Sequence, residues 1–268
     1  MSTLKRPLVR QWWVFPLAAA TVIFLVTALP RYLGLDPSQS LVETDRGPAF
    51  YPALVTHIFF GSVMLCCGVL QLWPWLRANH PKVHRWTGRT YVVTAIPTGL
   101  GALVTSQFPA AGPSQQVGNT FLAVLFLLFT VQGYRAARQR RFKDHREWMY
   151  RSYAMAFSII ANRFWGTVLI MIFVPDLMNG ADLGTDDPTL ASAAAASAWV
   201  SWVVNLLIAE WIIHRKPRRR RTDQASASRR VERQTPVSSS SGISTLQPSQ
   251  ELEYAAPPVT TSCVDATP

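Results

Sequence analysis

Six long apolar runs constrain this chain more than any other feature, because they name its solvent. They fall at about residues 12–30, 50–76, 86–106, 118–137, 148–174 and 193–213. Each comes to the ~20 residues a helix needs to cross a bilayer at a rise of ~1.5 Å per residue. Inside lipid the backbone must satisfy its own hydrogen bonds. Helices do so within one segment, whereas a membrane barrel would alternate apolar and polar positions rather than run apolar. The expected fold is therefore all-α: a bundle of six transmembrane helices.

Charge placement sets the expected orientation. The chain carries a net charge of +11, with Lys and Arg gathered at the ends of the apolar runs and beyond the last one. The N-terminal segment, the 77–89 turn, the 138–147 turn and the segment after His214 hold most of these bases. The opposite loops are mixed (31–49), uncharged (107–117) or acidic, the last carrying Asp176, Asp182, Asp186 and Asp187. Both termini on the cytoplasmic side satisfy every loop, and the plasma membrane is the expected location. Trp12, Trp13, Trp73, Trp75, Trp86, Trp148 and Trp211 then fall at the same interface, as an aromatic belt does. Bases distributed in this way serve orientation. A nucleic-acid footprint needs a folded basic face or motif, and none is present. The first run is longer than a signal-peptide core and lacks a small-x-small cleavage site, so it reads as a retained helix.

Three regions follow: residues 1–11 as a cytoplasmic lead, 12–214 as the membrane domain and 215–268 as a basic, then Ser-, Thr- and Pro-rich tail. The tail has too few large apolar residues to fold alone. Its Arg218–Arg221 cluster serves as a stop signal or a contact for anionic lipid. Cys66 and Cys67 are neighbours and Cys263 lies in the tail, so no disulfide framework is implied.

One stretch occurs twice. Gln71, Arg77, His84 and Arg85 recur sixty-one positions later as Gln132, Arg138, His145 and Arg146; after one inserted residue, Arg89 and Tyr91 answer to Arg151 and Tyr153. In each copy an apolar run ends in a basic turn and the next run begins. Two such hairpins entering from the same side would form a four-helix core of parallel repeats about an axis along the membrane normal.

That arrangement would bring His84, Arg85, Arg89, His145, Arg146 and Arg151 to one inner-leaflet site, with Gln71 and Gln132 a turn or two deeper. Three chemistries suit it. The bases can anchor the chain among headgroups while the imidazoles bond carbonyls. Guanidinium forks, aided by helix starts at Trp86 and Trp148, can hold an anionic lipid or small anion. Two neutral imidazoles, His84 and His145, can also ligate one b-type haem. A second polar centre is expected within the membrane from His57, Asn162 and Arg163. There Arg163 either reaches toward His57 or bonds a carbonyl freed where Pro97 interrupts its helix. Glu210 is the one acid in the sixth run and is expected to neutralise an inner arginine.

The dispersed pattern His57-x3-Gly61, Gln71, Arg77, His84-Arg85-x2-Gly88-Arg89-x-Tyr91, His145-Arg146-x-Trp148-Met149-x-Arg151-Ser152-Tyr153-Ala154 and Arg163 resembles a family of predicted membrane proteins, domain of unknown function twenty-three zero six. The likeness covers roughly residues 50–173; it implies an integral membrane protein and no particular activity. A looser similarity is to six-helix b561-type cytochromes. Those use two histidine pairs, whereas His57 has no partner on the outer side, so one haem at most is implied. There is no Walker loop, His-Glu-x-x-His or Gly-x-Ser-x-Gly, and hence no catalytic residue to name. The expected function is a membrane module binding an anionic lipid or small anion at the inner His/Arg site, with membrane lipids as partners; the alternative is a single-haem redox protein.

Overall fold

The computed structural model describes residues 12–40, 44, 46–175 and 187–215. The lead 1–11, Asp176, Asp182, Asp186, the Arg218–Arg221 cluster and the rest of the tail after Arg215 lie outside the described residues. Among the described residues the chain is all-helical, without strands. The elements are α1 Val14–Ala28, α2 Pro30–Leu33, α3 Phe50–Leu72, α4 Pro74–Asn79, α5 Pro81–Thr105, α6 Gly112–Arg138, α7 Phe142–Ala156, α8 Ser158–Phe173 and α9 Pro188–His214. The compact unit they form ends at Arg215.

Proline and side-chain bonds place most of the boundaries. The expected 50–76 helix stops at Leu72 because Pro74 forces Trp73 into an extended conformation (φ −75°, ψ 109°) and then serves as the first residue of α4. Pro81 opens α5 in the same way. The helices expected to start at Trp86 and Trp148 instead start at Pro81 and Phe142. At the start of α9 the Asp187 carboxylate accepts from the backbone N–H of Thr189 (2.7 Å) and Leu190 (3.3 Å), an N-cap ahead of Pro188.

The expected 148–174 helix is two helices bent by 45° at Phe157. No proline or glycine sits at the bend. The Ala154 carbonyl there accepts from the Ser158 hydroxyl (3.0 Å) and from the Asn205 side-chain amide of α9 (3.1 Å). Side chains inserted into the backbone ladder are a recognised cause of helix kinks.

By length and apolarity α3, α6 and α9 are each able to cross a membrane, and α7 with α8 qualifies as one broken span. α1 is apolar but only 15 residues long. α5 is long enough at 25 residues, but Lys82, His84, Arg85 and Arg89 make its first half polar.

α3 and α5 pack as an antiparallel pair, as do α6 and α7; α5 lies beside α6, and α9 covers α6, α7 and α8. Glycines let the helices close in. A Cβ on Gly68 would sit 2.2 Å from the Tyr153 ring and 3.2 Å from that of Tyr91; one on Gly101 would meet the Ala53 carbonyl at 2.8 Å. Small residues at helix contacts do in lipid what large apolar ones do in water, since burial away from lipid tails gains little. The core gathers Met64, Leu65, Tyr91, Phe126, Tyr153 and Trp202. At its centre the Ser152 hydroxyl bonds the hydroxyls of Tyr91 (2.8 Å) and Thr130 (2.7 Å), joining α5, α6 and α7.

Candidate functional site

At the mouth of the two hairpins, helix phase decides what converges. His84 and His145 occupy the same position in their helices, the first residue whose N–H reaches the capping carbonyl: His84 to His80 (3.1 Å) and His145 to Arg141 (2.9 Å). Their side chains are used differently. His145 donates from Nδ1 to the Gly133 carbonyl of α6 at 2.8 Å. His84 leaves Nδ1 buried without a partner, and it is Gln71 that ties its hairpin, donating to the His84 carbonyl (2.8 Å) and to Thr87 Oγ1 (2.5 Å). Gly88 makes room for that amide, since a Cβ there would lie 3.2 Å from it. Gln132, the counterpart of Gln71, is half-buried and makes no side-chain hydrogen bond among the described residues. The two imidazoles lie close enough for charge on one to disfavour charge on the other. Burial, then Arg77, then His145 hold the His84 pKa below the usual histidine value, at a position outside the apolar stretch that begins at Trp86.

The arginines do not join the imidazoles. α5 turns about 100° per residue, so Arg85 and Arg89 leave the face that carries His84 and line a shallow groove with Lys82 and Trp86. Within it Arg89 stacks 5.7 Å from the Trp86 ring. Arg146 is exposed. Arg151 is consumed by Glu210: Nε pairs with Oε1, Nη2 donates to Oε2 at 2.9 Å, and the guanidinium lies 4.8 Å from the Trp148 ring. Glu210 thus neutralises Arg151, a pairing with an arginine of the kind expected from its isolation in the sequence.

The second polar centre forms around a cavity of about 480 Å³. Each of the seven longer helices contributes to its wall: Phe24 of α1, His57 of α3, Thr98 of α5, Asn119 of α6, Met155 of α7, Arg163 of α8 and Ser201 of α9. Most of the lining is apolar, with Phe50, Leu54, Phe108, Leu122 and Phe126 prominent; Asn162 and Arg46 join the polar part. His57 donates from Nδ1 to the Thr98 carbonyl at 2.8 Å, one residue past Pro97. The carbonyl that Pro97 frees is that of Val93, one turn earlier, and among the described residues Arg163 bonds neither it nor His57. Arg163 is exposed at the wall, and its guanidinium has no hydrogen-bond or ion-pair partner among the described residues. The Asn162 Oδ1 is buried and unpartnered.

Neither the groove nor the cavity is lined by His84 or His145. Among the described residues no group of three or more His, Cys, Asp or Glu is placed to hold a metal ion. The cavity, the Tyr91–Ser152–Thr130 cluster and Asn205 had no counterpart in the sequence reading. Of these only Tyr91 and Ser152 carried a signal, as members of the dispersed pattern.

No curated protein and no solved structure matches this chain. Residues 54–213, more than half of the 268-residue chain, match the family described as Predicted membrane protein (DUF2306), and the chain is a member of that membrane-protein family.

Proposed function

We propose that this is a six-span membrane protein, with both termini on the cytoplasmic side of the plasma membrane, that binds an amphipathic small molecule in the space between its helices. In that reading α1 and α5 complete the set of spans begun by α3, α6, α9 and the α7–α8 pair. The parallel-hairpin repeat is the frame that holds the space open. The single observation that carries the reading is the cavity of about 480 Å³, apolar over most of its wall and polar at His57, Asn162 and Arg163. Ligand sites run to ~300–1,000 Å³ and share this make-up, an apolar wall with a few placed polar groups.

The inner mouth supports a second, weaker site. The groove of Lys82, Arg85, Trp86 and Arg89 has the bases and the exposed indole of a headgroup contact. It serves anchoring as well as it serves binding. A haem held by His84 and His145, on the pattern of b561-type cytochromes, is less supported, since neither cavity touches those rings.

The test is photolabelling in nanodiscs of zwitterionic lipid, using a diazirine-bearing hexadecanoic acid and the alcohol of equal chain length. Adducts mapped by mass spectrometry are expected on cavity-wall residues such as Phe108, Leu122 and Met155. The Ala102→Phe variant, which fills the space from α5, should remove them. Adducts confined to lipid-facing positions, unchanged in Ala102→Phe, would overturn the cavity reading.

A further inference from the structure

We infer that the molecule held in this cavity carries an anionic head on a hydrocarbon body, and that Arg163 receives the head. The inference rests on the cavity reading above and adds the chemical class of the ligand.

The wall of the cavity is unbalanced in charge. Two guanidiniums, Arg46 and Arg163, line it, and no carboxylate does among the described residues. Arg46 is engaged, donating from Nη1 to the Phe108 carbonyl at 2.8 Å. Arg163 is not. Among the described residues, Glu210 holds Arg151, Asp144 holds Arg141, and Asp187 caps α9. In the six-span reading Arg163 lies ten residues, roughly 15 Å, before the end of α8, deeper than an ordinary interfacial anchor. A guanidinium does not lose its proton, so it cannot escape its cost by neutralising as a lysine would. Within a bilayer an unpaired charge calls for a counter-ion, and none of the described residues supplies one.

His57 and Asn162 line the same cavity as Arg163. His57 spends Nδ1 on the Thr98 carbonyl, so its Nε2, unpartnered among the described residues, is left for a ligand. Asn162 adds a carbonyl oxygen without a donor. His57 Nε2 and Asn162 Oδ1 are acceptors, so the anionic head that suits them keeps one proton, as a phosphate monoester does while its other oxygens meet the guanidinium. The phenylalanines and leucines of the wall take the hydrocarbon. A cationic amphiphile would be repelled by both arginines, and a neutral one would leave Arg163 unpaired.

The experiment uses full-length protein in zwitterionic nanodiscs and three photoreactive probes of one chain length: hexadecanoic acid, hexadecyl phosphate and hexadecanol, each with the same diazirine. Wild type is expected to label the cavity wall with the acid or the phosphate about tenfold more than with the alcohol, the ratio one charge-assisted contact supplies. The stronger of the two anions identifies the head as carboxylate or phosphate. Arg163→Gln should erase that preference with the elution profile unchanged, and Arg163→Lys should retain much of it. Equal labelling by all three probes, or a preference that survives Arg163→Gln, would overturn the inference and leave the cavity reading standing. An absence of wall labelling by any probe would sink the cavity reading itself.

Discussion

The Tyr91 hydroxyl lies 2.8 Å from the Ser152 hydroxyl in the buried centre of the bundle, and Thr130 completes the cluster at 2.7 Å from Ser152. Tyr91 and Ser152 are fully buried. Ser152 is the shared partner, so its loss costs the most. Ser152→Ala would strand the Tyr91 hydroxyl, at ~1–3 kcal/mol for an unsatisfied buried group. Tyr91→Phe would leave Ser152 with Thr130, and should cost nearer the ~0.6 kcal/mol average for hydrogen bonds inside membranes. Thermal unfolding in detergent should rank Ser152→Ala below Tyr91→Phe, with the double variant above Ser152→Ala because it no longer strands the tyrosine hydroxyl.

Tyr91 and Tyr153 answer to each other in the repeat, and both rings pack over Gly68. Gly68→Ala would place a methyl 2.2 Å from the Tyr153 ring, so the clash should outweigh the ~1 kcal/mol that alanine gains over glycine in a helix. Gly166→Ala, whose methyl would meet Ser197 at an ordinary 3.7 Å, should cost nothing. Expression and melting temperature of the two variants check this.

The Arg151–Glu210 pair makes two hydrogen bonds between α7 and α9 while about a third of the Glu210 side chain stays exposed. Glu210→Gln should lower stability by about 1–2 kcal/mol, a charged hydrogen bond discounted for that exposure. Arg151→Met combined with Glu210→Leu should recover most of the loss, because neither variant residue is a buried unpaired charge. Photolabelling of the cavity should be unaffected by either change, which separates this arginine from Arg163.

The burial of His84 beside Arg77 and His145 sets the sign of a pH dependence of stability. The His84 pKa is held below the ordinary ~6.5 by burial and by the nearby Arg77 and His145. The unfolded chain therefore binds more protons below that pH, and stability falls as the pH drops from neutrality through that range. Melting temperatures between pH 7.5 and 5 should decline, and His84→Asn should flatten the decline. A wild-type curve that rises toward acid would contradict the burial of this ring.

Much of this was legible in a linear reading, and the rest failed for one geometric reason. Apolar runs and loop charges are one-dimensional signals, so the helical class, the membrane and the isolation of Glu210 could be read from order alone. Whether Arg85 joins His84 depends on helical phase. The two residues are adjacent in sequence but about 100° apart around α5, and Arg85 faces the groove with Lys82 and Trp86. The bend at Phe157 was invisible in the chain order, because Asn205, which bonds the Ala154 carbonyl there, lies on another helix. His57 and Arg163 were singled out as costly residues at one depth, and the cavity between them exists only once seven helices are assembled.

The central claim is that the space between the helices is a binding site. The measurement that meets it most directly is an experimental density map of the protein purified in nanodiscs from its native membrane. The account predicts elongated density along the Phe108–Leu122–Phe126 wall, ending within hydrogen-bond distance of the Arg163 guanidinium. A collapsed or empty space, with Arg163 turned outward among lipid headgroups, would contradict it.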